Sequence, residues 1–285
     1  MKPGKTYKVP GDGLNLQMAE WPGDGPAVLC LHGLTANLHC FELVAEGINP
    51  TCRVLAMDLR GRGLSDKPAQ GYSLEHHCRD LVAALKAMGL ARVTLLGHSL
   101  GAYLCLAFAA AHPELVEKLI LVDGGAELSV EEWLAVGAAI QPAVDRLGKV
   151  MPSVEAYLES ARQAPYANPW NSCLEAYFRY EIEEVSGGVG TRVQPGNIAE
   201  ERANLKEFKP SDLYSQIQCP VLVLRATVGL GPEKGLVLPE RAADSMLASI
   251  PQANLVNLKG VDHYSIVFQP NPERDRLILG FMSGD

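Results

Sequence analysis

Four short runs of this chain have no polar side: AVLCL at 27–31, VTLL at 93–96, LILV at 119–122 and VLVL at 221–224. A strand that is apolar on both faces has to be covered on both faces. A parallel sheet sandwiched between helices meets that demand, whereas an antiparallel sheet with one wet side does not. The intervening segments agree, because 74–88, 100–111, 239–250 and 272–282 carry helical patterning. The pattern predicts an α/β fold with strands at 14–20, 27–31, 53–58, 93–97, 118–123, 221–225 and 254–258. A weaker first strand is expected near 7–9. At 285 residues the chain could hold two domains, but α/β folds of about 250 residues often form one.

The alternation stops between Gly124 and Pro210. No convincing strand is expected in these 87 residues. Helical segments are expected at 130–150, 153–162, 173–184 and 198–208, separated by loops such as PYANP, SGGVG and QPGN. The reading is a core of 1–123 and 211–285 with a helical cap, 124–210, laid over the sheet. This cap holds 8 of the 18 aromatic residues, among them Trp133, Tyr157, Tyr166, Trp170 and Tyr177. They serve either to pack the cap on the sheet or to line an apolar pocket beneath it. Glu181, Glu183 and Glu184 read as a solvated acidic face.

Net charge narrows the partners. At −8, the chain lacks the clustered Lys and Arg that grip a phosphate backbone or an anionic membrane. The cap, with 13 acidic and 8 basic residues, carries much of that surplus and disfavours polyanionic substrates. The beginning, MKPGKTYKVPGDG, has no signal-like apolar core, and the longest apolar stretch, 102–111, is half a membrane span. Seven cysteines at irregular spacing, without a CxxC pair, read as reduced thiols of a cytoplasmic protein. No feature sets an oligomeric state.

Chemistry enters at Gly97-His98-Ser99-Leu100-Gly101, which follows the strand VTLL and opens a helix. In that strand–turn–helix context, G-x-S-x-G is a nucleophile elbow. The serine sits on a strained turn above the sheet, and the flanking glycines let strand and helix approach. A serine needs a base, and the base needs an orienting acid. His263, in GVDHY after the last strand, has the place of the base. The other histidines read as loop-shaping (His32), flanking (His98), or lying at the surface or just behind the site (His39, His76, His77, His112), and the adjacent His76 and His77 face different sides of a helix.

These residues resemble the α/β-hydrolase superfamily over nearly the whole length. The matching segments are LCLHGLT at 29–35, MDLRGRGLSDKP at 57–68, GHSLG at 97–101, LILVDGG at 119–125 and GVDHY at 260–264. The resemblance implies an eight-stranded, mostly parallel sheet with an antiparallel start, helices on both faces and a helical cap after the sixth strand. It also implies the chain order Ser, acid, His. Common members carry the acid just after the seventh strand, where this chain reads RATVGLGP and offers no carboxylate before Glu233. A subset places it at the end of the sixth strand, where this chain has Asp123. Asp123 and, behind it, Glu233 are the candidates; Asp262 is too close in sequence to bond the ring of His263. The backbone N–H groups of Leu34 and Leu100 are the expected oxyanion donors. Arg60 and Asp66 read as turn residues, with Arg60 near the pocket rim.

Serine at the elbow suits acyl transfer, in contrast to resembling enzymes that use aspartate there to form alkyl-enzymes. The expected function is a serine carboxylic ester hydrolase acting on small to medium, fairly apolar esters or lactones through an acyl-enzyme. It needs no cofactor and no metal, and no phosphate-cradling GxxxxGK[ST] is present. The alternatives are a C–C bond or amide hydrolase with a dedicated substrate, and a ligand receptor on a hydrolase scaffold.

Overall fold

A computed structural model describes residues 4–230 and 235–284. Its main sheet has eight strands: β1 (Lys5–Pro10), β2 (Asn15–Trp21), β3 (Ala27–Leu31), β4 (Arg53–Met57), β5 (Val93–His98), β6 (Val116–Val122), β10 (Val221–Ala226) and β11 (Ala253–Leu258). Their order is β1-β2-β4-β3-β5-β6-β10-β11. Only the pairs β1–β2 and β2–β4 are antiparallel; the other neighbours run parallel. This is the expected eight-stranded α/β fold.

The two-sided apolar strands do what their pattern demands. Along β3 and β6, Leu29, Leu31, Leu119 and Leu121 face one cluster, shared with Leu81 and Leu85 of α2 (Leu74–Met88) and Leu104 and Phe108 of α3 (Leu100–Ala111). Their neighbours Val28, Cys30, Ile120 and Val122 face the opposite cluster, with Val44 of α1 (Glu42–Ile48) and Ile278 of α10 (Pro272–Ser283). Alternation with period two feeds both layers at once. Each fully buried leucine contributes roughly 2 kcal/mol against exposure. Helix α2 matches its expected bounds because its ends are written in the sequence. The hydroxyl of Ser73 accepts from the His76 N–H, and Gly89 closes the helix at φ 67°.

The segment between β6 and β10 is not purely helical. Four helices were expected and four are present: α4 (Val130–Asp145), α5 (Val154–Arg162), α6 (Ser172–Glu181) and α7 (Pro195–Glu207). A three-stranded antiparallel sheet was not expected: β7 (Val150–Met151), β9 (Gly188–Thr191) and β8 (Ile182–Val185), in that spatial order. The stretch SGGVG is therefore a hairpin turn running into a strand rather than a loop. Gly187 has φ 92°, and a Cβ on Gly188 would stand 2.0 Å from the Met151 carbonyl oxygen. Strands of two to four residues, one of them half acidic, show no periodicity long enough to read. The short helices α8 (Glu240–Ser249) and α9 (Ser265–Phe268) complete the chain, α8 close to expectation and α9 unforeseen. No helix is long and apolar enough to cross a membrane among the described residues.

Candidate active site

Three strand ends converge here. Ser99 follows β5 with φ 56° and ψ −118°, and Asp123 follows β6 with φ 46°; no other non-glycine among the described residues has positive φ. Such backbone costs of order 1–3 kcal/mol and persists only where its surroundings enforce it. The enforcement is visible. The Ser99 N–H donates to the Val122 carbonyl at 3.0 Å, and the Asp123 N–H to the Leu224 carbonyl at 2.8 Å. A Cβ on Gly97 would lie 2.2 Å from the Gly101 oxygen, one on Gly101 1.9 Å from the Leu31 oxygen, and one on Gly124 2.6 Å from the Ser99 oxygen. The elbow thus needs glycine at 97, 101 and 124.

Asp123 and His263 meet. The His263 Nδ1–H donates to Asp123 Oδ2 at 2.7 Å, and Asp123 Oδ1 accepts from the Ala226 N–H at 3.0 Å. Both side chains are buried, at 1% and 3% exposure. The acid is thus held at both oxygens, one by His263 and the other by β10, the strand beside β6. With Nδ1 on Asp123, Nε2 is the ring nitrogen of His263 left for another partner. Ser99 and His263 line one cavity together with Gly33, Leu34, Arg146 and Tyr177. A second cavity shares Leu34, Ser99 and Ile140 with the first and adds Leu100, Trp133 and Arg202. The serine stands where the two chambers join. Glu233 lies outside the described residues. Asp262 binds the N–H groups of Tyr264 and Ser265 at 3.0 and 2.7 Å, which shapes the turn under His263.

Two histidines read as loop-shaping or flanking support the backbone around the site. His98 donates from Nε2 to the His263 carbonyl at 2.8 Å, with the two rings 4.5 Å apart. Burial, then the nearby His263, pushes the His98 ring well below the ordinary imidazole range, so it is neutral. His32 accepts the Leu59 N–H at Nε2 (3.0 Å) and donates from Nδ1 to the Gly33 carbonyl at 2.8 Å. Its pKa is pushed down to about 3, chiefly by burial. In a trans peptide the C=O and the following N–H point oppositely. By gripping the Gly33 carbonyl, His32 fixes the direction of the Leu34 N–H.

The next carbonyl, Leu34, is held by Arg62 Nε at 3.1 Å. Arg62 in turn pairs with Glu201 of α7, which also accepts from His77 Nε2 at 2.6 Å. His77 is therefore buried behind the site, one of the two places expected for it. Arg60 pairs with Asp80 at 2.7 Å, away from the chambers.

The acidic face expected at 181–184 divides. Glu181 is buried at 2% exposure and accepts from Arg146 Nε at 2.7 Å. Burial raises its pKa, with Arg146 opposing. Glu183 pairs with Arg192 at 2.8 Å. Leu174, Tyr177, Phe178 and Glu181 are buried along α6 at i, i+3, i+4 and i+7. That spacing was the available signal that Glu181 faces inward. Of the aromatics between β6 and β10, Trp170 stacks on Phe178 of the same segment at 5.5 Å, while Trp133, Tyr166 and Tyr177 line the chambers, as one of the two expectations had it.

Residues 26–270 match the family described as alpha/beta hydrolase fold, and the chain belongs to that family. It is 28% identical over 254 residues to a 2-(acetamidomethylene)succinate hydrolase of Mesorhizobium japonicum, covering 88% of this chain and 85% of the relative. It is 26% identical over 257 residues to a putative carbamate hydrolase RutD of Klebsiella pneumoniae subsp. pneumoniae, covering 88% of each. The crystal structure of E-2-(acetamidomethylene)succinate hydrolase shares the fold at a TM-score of 0.83 and 22% identity, over 98% of both chains. The relatives are hydrolases, and so is this chain.

Proposed function

We propose that this hydrolase cleaves carboxylic esters or lactones through an acyl-enzyme, with Ser99 as nucleophile, His263 as general base and Asp123 as orienting acid. The observation that carries the reading is the buried Asp123–His263 bond beside a strained Ser99 that opens on the same cavity. Asp123 keeps the His263 proton on Nδ1, so Nε2 takes the Ser99 proton as Oγ attacks the carbonyl carbon. The Leu34 and Leu100 N–H groups receive the oxyanion of the tetrahedral intermediate. His263 returns the proton to the leaving oxygen, and water repeats the sequence on the acyl-enzyme.

In this reading residues 124–210 act as a lid whose side chains set substrate choice. A second reading keeps the residues and changes the bond: an amide or carbamate, favoured by the name of the Klebsiella relative. Seven buried, unbridged cysteines suit a reducing, cytoplasmic setting.

A fluorophosphonate probe should label the protein but not Ser99→Ala. That variant should also lose short p-nitrophenyl ester hydrolysis by on the order of 10⁶-fold in kcat. Comparable turnover by Ser99→Ala overturns the assignment, and a carbamate and amide panel separates the two bond types.

A further inference from the structure

The two chambers flanking Ser99 each hold one arginine, in opposite states. In the first, Arg146 has every donor engaged. Its Nε–H meets Glu181, one terminal nitrogen meets the Ala143 carbonyl and the Tyr166 hydroxyl, and the other meets the Thr35 carbonyl at 3.1 Å and the Tyr177 hydroxyl at 3.3 Å. Five N–H groups find five acceptors, and the charge is matched by a buried carboxylate. This chamber is electrically closed.

In the second chamber, Arg202 has no hydrogen bond, ion pair or ring contact among the described residues. Its guanidinium faces the wall at Gly137, where a Cβ would stand 3.5 Å from a terminal nitrogen. Apart from Arg202, that chamber is walled by Tyr103, Leu128, Trp133, Val136 and Leu205 with a few other apolar residues and Ser99. The side chain is presented by a fixed helix. On the body-facing side of α7, Glu200 accepts the Gly71 and Tyr72 N–H groups at 2.9 Å each, Glu201 takes His77 and Arg62, and Asn204 donates to the Tyr72 carbonyl at 2.9 Å. Arg202 and Leu205, three residues apart, occupy the chamber side.

A half-buried guanidinium among apolar walls, with no counter-ion among the described residues, attracts one from the ligand, because the apolar surroundings weaken screening. The adjoining surface has the same sign. A third cavity, which shares Tyr103, Leu128, Trp133 and Leu205 with this chamber, carries Lys206 and Lys209 against a single acid, Glu127. Glu127 Oε2 is already taken by Ser211. In a chain of net charge −8, a locally basic mouth is a selective feature. One cation balances one negative charge. A planar fork fits a carboxylate, and a dianion would stay half neutralised in apolar surroundings.

We propose that Arg202 receives a free carboxylate carried by the substrate, so that the preferred substrates are monoanionic carboxylic acid derivatives. An apolar spacer separates that carboxylate from the carbonyl attacked by Ser99. This rests on the acyl-enzyme reading above for the position of the attacked carbonyl, and it replaces a merely apolar substrate with an amphiphilic one.

The test uses monomethyl esters of the dicarboxylic acids from succinic to suberic, each against its dimethyl ester. Binding to Ser99→Ala protein is followed by the fluorescence of Trp133, which lines the chamber. At one chain length or more the monoester should bind about 10-fold tighter than the diester. In Ser99→Ala/Arg202→Gln the two affinities should converge. Equal affinities at every length, or a preference that survives Arg202→Gln, overturn the proposal. Turnover with Ser99 intact tells the two readings apart. Hydrolysis of both ester types at equal kcat/KM, whatever stands at 202, leaves the acyl-enzyme reading and removes the carboxylate site. Arg202-dependent binding of the monoester without hydrolysis of any ester does the reverse.

Discussion

The sheet body and the segment inserted between β6 and β10 fix their key atoms by different means. In the body the work is done by backbone. Ser99 and Asp123 sit at positive φ because main-chain bonds to Val122 and Leu224 hold them there, and Gly97, Gly101 and Gly124 leave no room for a Cβ. In the insertion the work is done by charged side chains. Arg146 pairs with Glu181, and Glu201 reaches down to Arg62 and His77. Tyr180 of α6 donates to Asp58, which also caps the Leu38 and Leu64 N–H groups in the body. Backbone geometry tolerates almost no substitution, as the proposed chemistry requires. Side-chain pairs can be exchanged one at a time, which suits the lid proposed above.

The sharpest way to break this contrast is Asp123→Asn. The shape survives, but an amide nitrogen can face His263 Nδ1 and favour the wrong tautomer. The expected loss in kcat is about 10⁴-fold with little change in melting temperature, read with a short ester and a thermal scan. If Asp123→Asn keeps its activity while Glu233→Gln loses it, the acid is not at the end of β6.

The next effect belongs to the insertion. Glu181→Gln leaves the Arg146 charge buried without its counter-ion, at a cost of about 3 kcal/mol. The loss should be local. Hydrogen exchange should speed up in α4 and α6 while β3, β5 and β6 keep their protection. Equal loss of protection in the sheet would make body and insertion a single cooperative unit and dissolve the contrast.

Legibility in the sequence follows the same divide. The eight strands of the body could be read because a two-sided apolar run or a flanking turn marks each one, and the elbow because glycine spacing encodes a backbone conformation. His263 and Asp123 could be proposed because strand ends are predictable places. The insertion resisted. Its hairpin at 182–191 is too short for periodicity, and Glu181 belongs to a run of acids that looks solvated when the helix stripe of Leu174, Tyr177 and Phe178 is not followed one turn further. Ion pairs such as Arg146–Glu181 and Arg62–Glu201 join residues 35 and 139 positions apart. A single sequence carries no local pattern for such a partnership, since it exists only after both elements have packed.

The smallest effect separates the two regions by pH. His32 and His98 lie in the body under the site, both neutral because burial depresses their pKa, that of His32 to about 3. In the unfolded chain each titrates near 6.5. A depressed folded pKa means stability that is fully present above about pH 6.5 and is lost as pH falls toward the folded value. Each histidine should contribute about 1.4 kcal/mol per pH unit across that window. Protonating His32 also takes the acceptor from the Leu59 N–H, so there is no cheap way to house the charge. With the buried His77, also held well below the ordinary range, as a third such group, urea unfolding at pH 7.5, 6.5 and 5.5 should show a fall of about 1 kcal/mol in the upper interval and about 3 kcal/mol in the lower one. Amides of β3 and β5 should lose protection there, because His32 follows β3 and His98 ends β5. A flat profile down to pH 5.5 would mean that the imidazolium form of His32 is accommodated. The Gly33 carbonyl would then be gripped equally well in either state, and the neutral ring would not be what aims the Leu34 N–H.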